Sequence, residues 1–225
     1  MRLIIIGCEY AGKSTLTAGI KEWLIETMGS CQTSFHDHFV LPFKEGFSPQ
    51  AEEQAQQILN MDRTLLERHV DYMMNYHLSP GFYMANDHCL VNWYFGDAVY
   101  AEMYYGYGGP GEYAERRVMA RYYDKRVMEC APDTVLVLMK ASAEVIIDRM
   151  RENPHPHNLI KEEDVPKILD RFEEEHASSL LRRKIVLDTT DSTPAATLEE
   201  FLLQIEAHLS DRDLRRIVAH KALHT

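Results

Sequence analysis

Short apolar runs alternate with amphipathic segments along this chain. The runs predict β-strands at residues 2–6, 33–38, 82–86, 134–139 and 184–188, and segments with helical periodicity lie between them. Residues 134–139 are apolar almost throughout, as expected of a strand that is covered on both faces. This alternation predicts an α/β fold of three layers, in which helices flank a five-stranded parallel sheet.

Several predicted helices begin next to a side chain that caps a helix N-terminus. Ser142 and Thr193 stand just before helical patterns, and Asp164 stands near a proline that suits a first turn. Residues 50–78 predict one long helix. Residues 151–157 break the helical pattern and predict an exposed loop.

The first predicted strand runs directly into a phosphate-binding motif. Residues 7–14 fit the pattern G-x-x-x-x-G-K-[ST], in the expected order of strand, loop and helix. Gly7 and Gly12 allow the backbone N–H groups to approach phosphate oxygens closely. Lys13 is expected to reach the β- and γ-phosphates, and Ser14 to place its hydroxyl on Mg²⁺ at the start of a helix. A plain glycine turn, which is the alternative, has no use for a lysine and a serine at this spacing.

The composition restricts what this phosphate site serves. The chain has 225 residues, which suits one large α/β domain. Its 24 Lys and Arg against 35 Asp and Glu give a net charge of −11, which disfavours polymeric nucleic acid as a partner. The cysteines form no C-x-x-C pair and predict reduced thiols, and no apolar run approaches the roughly 18 residues of a membrane span. We therefore expect a cytoplasmic protein that does not cross a membrane.

The phosphate loop resembles that of the thymidylate kinases and, more broadly, of the nucleoside and nucleotide kinases. Their pattern continues after the first glycine with an acidic residue, small residues and Gly-Lys-Ser-Thr. The matching positions are Gly7, Cys8, Glu9, Ala11, Gly12, Lys13, Ser14 and Thr15. The resemblance implies a P-loop kinase fold in which these positions, Cys8 apart, bind ATP. Tyr10 replaces the usual glycine and makes the loop bulkier beside the acceptor.

Two further segments resemble this family on the side of the phosphate acceptor. Asp87 and His88 stand at the end of the predicted third strand, where the family carries Asp-Arg. The resemblance implies that Asp87 places Mg²⁺ or takes the acceptor proton. It also implies that His88 lies at the acceptor, where it supplies a weaker and pH-dependent charge than an arginine would. Tyr100 matches the family's aromatic segment over the acceptor base.

Two other carboxylates are candidates for contact with the acceptor. Glu9 lies in the phosphate loop, and Asp37 ends the second predicted strand, at the carboxyl edge where the crevice of such sheets opens. An acidic residue at the end of a strand also serves turns, which is the alternative role for Asp37. The other aromatic residues near Tyr100 are expected mainly to form core.

Residues 149–163 resemble the lid of the deoxynucleoside kinases. The resemblance implies that Arg149 and Arg151 close over the donor phosphates as the phosphoryl group moves. An ordinary charged helix end is the alternative. We assign residues 1–210 to a kinase domain with a helical lid, and residues 211–225 to a basic C-terminal tail that is either frayed or a short helix.

These features predict an enzyme that uses Mg²⁺ and moves the γ-phosphoryl of ATP to a small nucleoside or nucleoside monophosphate. Lys13, Asp87, Arg149 and Arg151 are its predicted catalytic residues, and Ser14 and Asp87 its predicted metal ligands. One alternative is a nucleotide-dependent regulatory ATPase or switch without a small-molecule acceptor. Another is a kinase of a non-nucleotide or modified-base acceptor. A homodimer is compatible with either function.

Overall fold

Five parallel strands form the central sheet of the protein. The computed structural model describes residues 1–31, 33–37, 57, 60–84, 87–154 and 160–224. The strand order is β2-β3-β1-β4-β5, and every pairing is parallel. The strands are β1 (Arg2–Ile6), β2 (Thr33–Asp37), β3 (Asp87–Val91), β4 (Val135–Lys140) and β5 (Arg183–Asp188). The predicted five-stranded parallel sheet is confirmed.

Helices flank this sheet, as an all-parallel arrangement requires. In the described part of the chain they are α1 (Lys13–Met28), α2 (Arg63–Tyr76), α3 (Trp93–Tyr100), α4 (Arg116–Cys130), α5 (Ala143–Glu152), α6 (Val165–Ser178), α7 (Pro194–Ile205) and α8 (Asp211–His224). A π-helical turn, Ala101–Tyr105, continues α3. The predicted α/β class is therefore confirmed, and β1 and β4 lie in the buried core between the helical layers.

Two of the predicted helix caps form as expected. The Ser142 hydroxyl accepts a hydrogen bond from the Val145 N–H at 3.3 Å, and the Thr193 hydroxyl accepts one from the Ala196 N–H at 3.2 Å. Helix α6 begins at Val165, next to the predicted position, but the Asp164 carboxylate makes no capping bond.

The predicted long helix over residues 50–78 is shorter where it is described. Asp62 caps α2 by accepting the Thr64 N–H at 2.9 Å, so this helix begins only at Arg63. Asn60 and Met61 form the turn that precedes the cap. Residues 50–56, 58 and 59, which the same prediction covers, lie outside the described part of the chain.

The third strand starts later than the sequence predicts. Phe82–Met84 forms a 3-10 turn, and β3 begins at Asp87. In the pairing with β1, Arg2 lies opposite His88 and Ile5 lies opposite Val91. Asp87 and His88 therefore lie at the amino edge of the sheet, and Asp87 is about 13 Å along the strand from its carboxyl end. The prediction that they end the third strand is wrong.

The C-terminal segment forms a helix that packs on α1. Helix α8 is 14 residues long, and its Arg216 donates a hydrogen bond to the carbonyl oxygen of Ser30 at 2.7 Å, just beyond the end of α1. No helix in the described part of the chain is long and apolar enough to cross a membrane.

Candidate active site

The phosphate loop connects β1 to α1 at the carboxyl edge of the sheet. Gly7 has a φ of 151°, and a Cβ atom at this position would lie 2.2 Å from the carbonyl oxygen of Met139 on β4. Gly12 has a φ of 90°, which favours glycine, and ends the loop. Tyr10 also adopts a left-handed conformation, with a φ of 62°. The loop thus holds a tyrosine in a conformation that costs a side chain roughly 1 kcal/mol.

Lys13 lies inside this loop. Its ammonium group is buried and donates hydrogen bonds to the carbonyl oxygens of Gly7, at 2.9 Å, and Cys8, at 2.7 Å. Helix α1 begins at this residue without a side-chain cap, so the N–H groups of its first turn face the loop together with the positive end of the helix dipole. Ser14 and Thr15 are exposed in that first turn. This combination of donors suits the phosphates of a nucleotide.

Oxygen atoms suited to Mg²⁺ lie at the same place. Ser14 offers its hydroxyl, and Glu9 in the loop offers a carboxylate. Cys8 is not an anionic ligand near neutral pH, because burial raises the pKa of its thiol to about 12. Ser14 and Glu9 are therefore the described residues of the loop that would hold the ion.

Asn92 joins the carboxyl end of β3 to the phosphate loop. Its side-chain oxygen accepts a hydrogen bond from the Gly7 N–H at 3.1 Å, and its own N–H donates to the Ile5 carbonyl at 2.8 Å. Asn92 and Trp93 have φ angles of 57° and 40°, so the backbone is strained where α3 begins. The sequence reasoning missed Asn92 because it placed the strand too early. The available signal was a polar residue directly after an apolar run.

Glu9 and Tyr100 meet across the site, as their separate predictions as acceptor contacts require. The Tyr100 hydroxyl donates a short hydrogen bond to the Glu9 carboxylate. Burial and the nearby Glu9 charge raise the pKa of Tyr100 well above its ordinary value, so this hydroxyl keeps its proton. Tyr100 packs edge-on against Phe172 of α6, which fixes the ring. The contact connects the phosphate loop to the end of α3.

Polar contacts join the segment after Tyr100 to the region of the predicted lid. The Tyr104 hydroxyl donates to the Asp164 carboxylate at 2.7 Å. Arg171 of α6 donates to Glu102 at 3.2 Å and approaches the Ala98 carbonyl at 3.4 Å. The π-helical turn is therefore held against the start of α6, beside the Glu9–Tyr100 contact.

Arg149 supports the phosphate loop from behind. Its guanidinium donates to the Tyr10 carbonyl at 3.0 Å and to the Thr189 carbonyl at 2.7 Å. The Thr189 hydroxyl in turn donates to the Ala11 carbonyl at 3.2 Å. Arg149 thus acts on the loop through its backbone, as a positioning residue. Nothing in the local sequence around Thr189 indicated this role, since the contact spans β5, α5 and the loop.

Arg151 lies on the outer side of α5, away from these contacts. It is exposed and pairs with Glu162, with 3.0 Å between Nε and a carboxylate oxygen. This ion pair joins the two ends of the segment that includes residues 155–159, which lie outside the described part of the chain. The assignment of Arg151 to lid closure stays a prediction.

Asp87 does not belong to this site. Its buried carboxylate lies at the opposite edge of the sheet, where it accepts hydrogen bonds from Arg216 at 2.6 Å and from the Met1 ammonium at 2.5 Å. Burial alone would raise the pKa of Asp87, but these bonds outweigh it and hold the pKa below its ordinary value. The assignment of Asp87 to metal binding and catalysis is wrong, because the carboxylate neutralises cations at the amino edge.

His88 is likewise remote from the acceptor. It is buried at the amino edge and stacks on Phe82, with ring centroids 4.4 Å apart. Burial, together with the nearby Arg2 and Met1 cations, lowers the pKa of His88 to about 4. The predicted role of His88 as a pH-dependent charge at the acceptor is wrong.

Asp37 ends β2, as predicted, and stands opposite Val91 in the sheet. This register places its backbone at the carboxyl edge, one strand removed from β1. The Asp37 side chain lies outside the described part of the structure, so its contact with the acceptor stays a prediction.

The fold is similar to that of several solved kinases. The first is deoxyadenosine kinase from M. mycoides with bound dCMP and dCDP, with a TM-score of 0.59, 16% identity, and coverage of 92% of this chain and 100% of that one. The second is the YorR protein of Bacillus subtilis in complex with phosphorylated GDP, with a TM-score of 0.54, 16% identity, and coverage of 92% and 99%. The third is thymidylate kinase from Ehrlichia chaffeensis, with a TM-score of 0.52, 13% identity, and coverage of 91% and 98%.

These similarities show that the chain has the P-loop kinase fold. No protein-family model matches the sequence, and no curated protein matches it. The fold expected from the phosphate loop is thus confirmed by whole-chain similarity.

Proposed function

We propose that this protein is a kinase that transfers the γ-phosphoryl of ATP to a hydroxyl group of a small nucleoside-like acceptor. The observation that carries the proposal is the hydrogen bond between Tyr100 and Glu9 at the phosphate loop. A loop that only held a nucleotide would need Lys13 and its N–H groups, but no buried tyrosine aimed at a carboxylate beside them. Transfer requires such a group at the reacting phosphate, to receive the acceptor proton.

The proposed reaction assigns a task to each residue. Lys13 and the loop N–H groups bind the β- and γ-phosphates and stabilise the charge that develops on them. Glu9 takes the proton of the acceptor hydroxyl, whose oxygen bonds to the γ-phosphorus as the bond to the bridging oxygen of ATP breaks and ADP leaves. Mg²⁺, held through Ser14, supplies positive charge to the phosphate oxygens. Tyr100 orients Glu9, and Arg151 approaches the phosphates from the lid.

The charges near Tyr100 favour an acceptor that does not yet carry a phosphate. Among the described residues around it, Glu9, Glu102 and Asp164 are acidic, whereas the nearby cation Arg171 is already paired with Glu102. A monophosphate would meet repulsion from these carboxylates. A nucleoside is therefore the acceptor that we propose first, which agrees with the deoxyadenosine kinase among the similar structures.

An acceptor panel tests this proposal. Purified protein is incubated with Mg²⁺, ATP labelled in the γ-phosphate, and in turn nucleosides, nucleoside monophosphates and non-nucleotide alcohols. We expect label to appear on at least one nucleoside, and Glu9→Gln to reduce that transfer at least a hundredfold. Glu26→Gln, which changes an exposed carboxylate on α1, is the matched control and should leave transfer unchanged.

Other outcomes of the panel would contradict the proposal. Slow phosphate release that no acceptor changes would indicate a regulatory ATPase or switch. Label on a non-nucleotide alcohol alone would retain the kinase but overturn the nucleoside-like acceptor.

A further inference from the structure

The last helix carries an apolar stripe on the side that faces away from the protein. Leu214 and Val218 of α8 are 48% and 68% exposed, and Ala222 is exposed one turn further on. These residues follow one another at a spacing of four, so they lie on one face of the helix. Together with Asp211, one turn earlier, they define the outer stripe of α8.

The opposite face of α8 fixes the helix to the body of the protein. Arg216 forms an ion pair with Asp87 at 2.6 Å. Asp213 is buried and lies 2.9 Å from the Met1 ammonium. His220 packs so closely against Gly29 that a Cβ atom there would lie 2.6 Å from the imidazole. Because these contacts hold the inner face, the outer stripe has a fixed position and orientation.

The charges of α8 do not form a surface for a polyanion. Arg216 and Arg212 point toward Asp87 and Asp133, at 2.6 and 3.8 Å. The exposed charges beside the stripe are mixed, with acidic Asp211 in the first turn and basic Lys221 in the last turn. An apolar centre between charges of opposite sign matches a second helix of the same sequence that runs in the opposite direction.

We propose that the outer stripe of α8 is the interface of a symmetric homodimer in which two α8 helices pack antiparallel. A two-fold axis at the level of Arg216 places Leu214 opposite the partner subunit's Val218, and the reverse. The same axis places Asp211 opposite the partner subunit's Lys221. One register thus satisfies both the apolar and the charged positions, and the small side chain of Ala222 allows the helices to approach closely.

The size of the stripe sets the expected strength of the dimer. Helix α8 has 14 residues and is therefore about 21 Å long. A contact of one such helix per subunit lies at the small end of specific interfaces, so we expect a dissociation constant on the order of 10 μM.

Sedimentation velocity over a concentration series tests the interface. The full chain should shift from monomer to dimer as the concentration rises, and Val218→Asp should weaken the dimer at least tenfold. Val118→Asp is the matched control, since Val118 is 62% exposed on a different helix, α4, and the dimer should persist. Circular dichroism of each variant verifies that it remains folded.

A charge exchange tests the register itself. Asp211→Lys and Lys221→Asp should each weaken the dimer, and the double variant should restore it. A wild-type protein that is monomeric at 100-fold above the expected dissociation constant would overturn the proposal. Equal loss of the dimer in Val118→Asp, or no recovery in the double variant, would also overturn it. None of these readouts depends on kinase activity.

Discussion

The Glu9 carboxylate is placed by a residue 91 positions away, because the Tyr100 hydroxyl donates to it. The tyrosine is buried and keeps its proton, so it remains a donor throughout the working pH range. Such a contact orients a base without supplying chemistry of its own. At the residue scale, the proposed transfer therefore depends on the pair rather than on either side chain alone.

Removal of the Tyr100 hydroxyl tests this dependence. We expect Tyr100→Phe to lower kcat about tenfold, because the loss of one hydrogen bond to a charged group leaves Glu9 less well oriented. ATP affinity, measured by calorimetry, should change little. Tyr122→Phe, on an exposed ring, is the control. A loss of ATP affinity with unchanged kcat would contradict the role of Tyr100 at the acceptor.

His88 provides a prediction for the pH dependence of stability. Its pKa is about 4 in the folded protein and near 6.5 when unfolded, so the unfolded chain binds the proton more readily between these values. This residue's contribution to stability is therefore present above pH 6.5 and is lost as the pH falls toward 4, by roughly 2 kcal/mol at pH 5. Urea unfolding of His88→Phe at several pH values should show a smaller loss in acid than the wild type. An identical pH dependence would contradict the buried, neutral histidine.

At the element scale, the phosphate loop is supported by elements that are distant in sequence. Arg149 of α5 and Thr189 after β5 both bond to the loop backbone. The local pattern predicted the loop, because its glycines, lysine and serine are adjacent in sequence. It did not predict the support, which depends on how the strands are ordered.

The misplaced third strand has a similar cause. Asp87 and His88 look unlike the start of a buried strand, so the local pattern favoured the residues before them. Asp87 is tolerated at that position because Arg216, 129 residues later, neutralises it. By contrast, β1, β4 and β5 are apolar runs that need no distant partner, and the sequence predicted them within a residue or so.

Two arginines of α5 should behave differently when replaced. We expect Arg149→Met to lower the free energy of unfolding by about 1–3 kcal/mol and to weaken ATP binding, because the carbonyls of Tyr10 and Thr189 lose a charged donor. Arg151→Met should change stability by less than about 0.5 kcal/mol, since its ion pair is exposed, but should lower kcat if Arg151 acts from the lid. Equal destabilisation by both variants, measured in urea, would contradict the supporting role of Arg149.

At the scale of the whole molecule, the two edges of the sheet have different tasks. The carboxyl edge carries the phosphate loop, Asn92 and the Glu9–Tyr100 contact. The amino edge carries a buried ion-pair cluster in which Asp87 and Asp213 face Arg216 and the Met1 ammonium. The first edge is proposed to bind substrates, whereas the second joins β3 to α8.

Replacement of Asp87 separates these tasks. Asp87→Asn should lower the free energy of unfolding by about 3 kcal/mol, because it leaves the Arg216 charge poorly compensated. The folded variant should bind ATP as the wild type does. Asp148→Asn, on an exposed carboxylate, should leave both properties unchanged. Wild-type stability with lost activity would instead place Asp87 at the active site.

The most direct test of the account follows the oxygen atoms of the transferred group. The wild-type protein reacts with ATP, Mg²⁺ and the preferred nucleoside in water enriched in oxygen-18, and the phosphorylated products are analysed by mass spectrometry. Transfer to the acceptor hydroxyl predicts a nucleoside monophosphate that contains no oxygen-18, and Lys13→Met should abolish it. Release of oxygen-18-labelled inorganic phosphate, without any phosphorylated nucleoside, would contradict the account, because water would then be the acceptor.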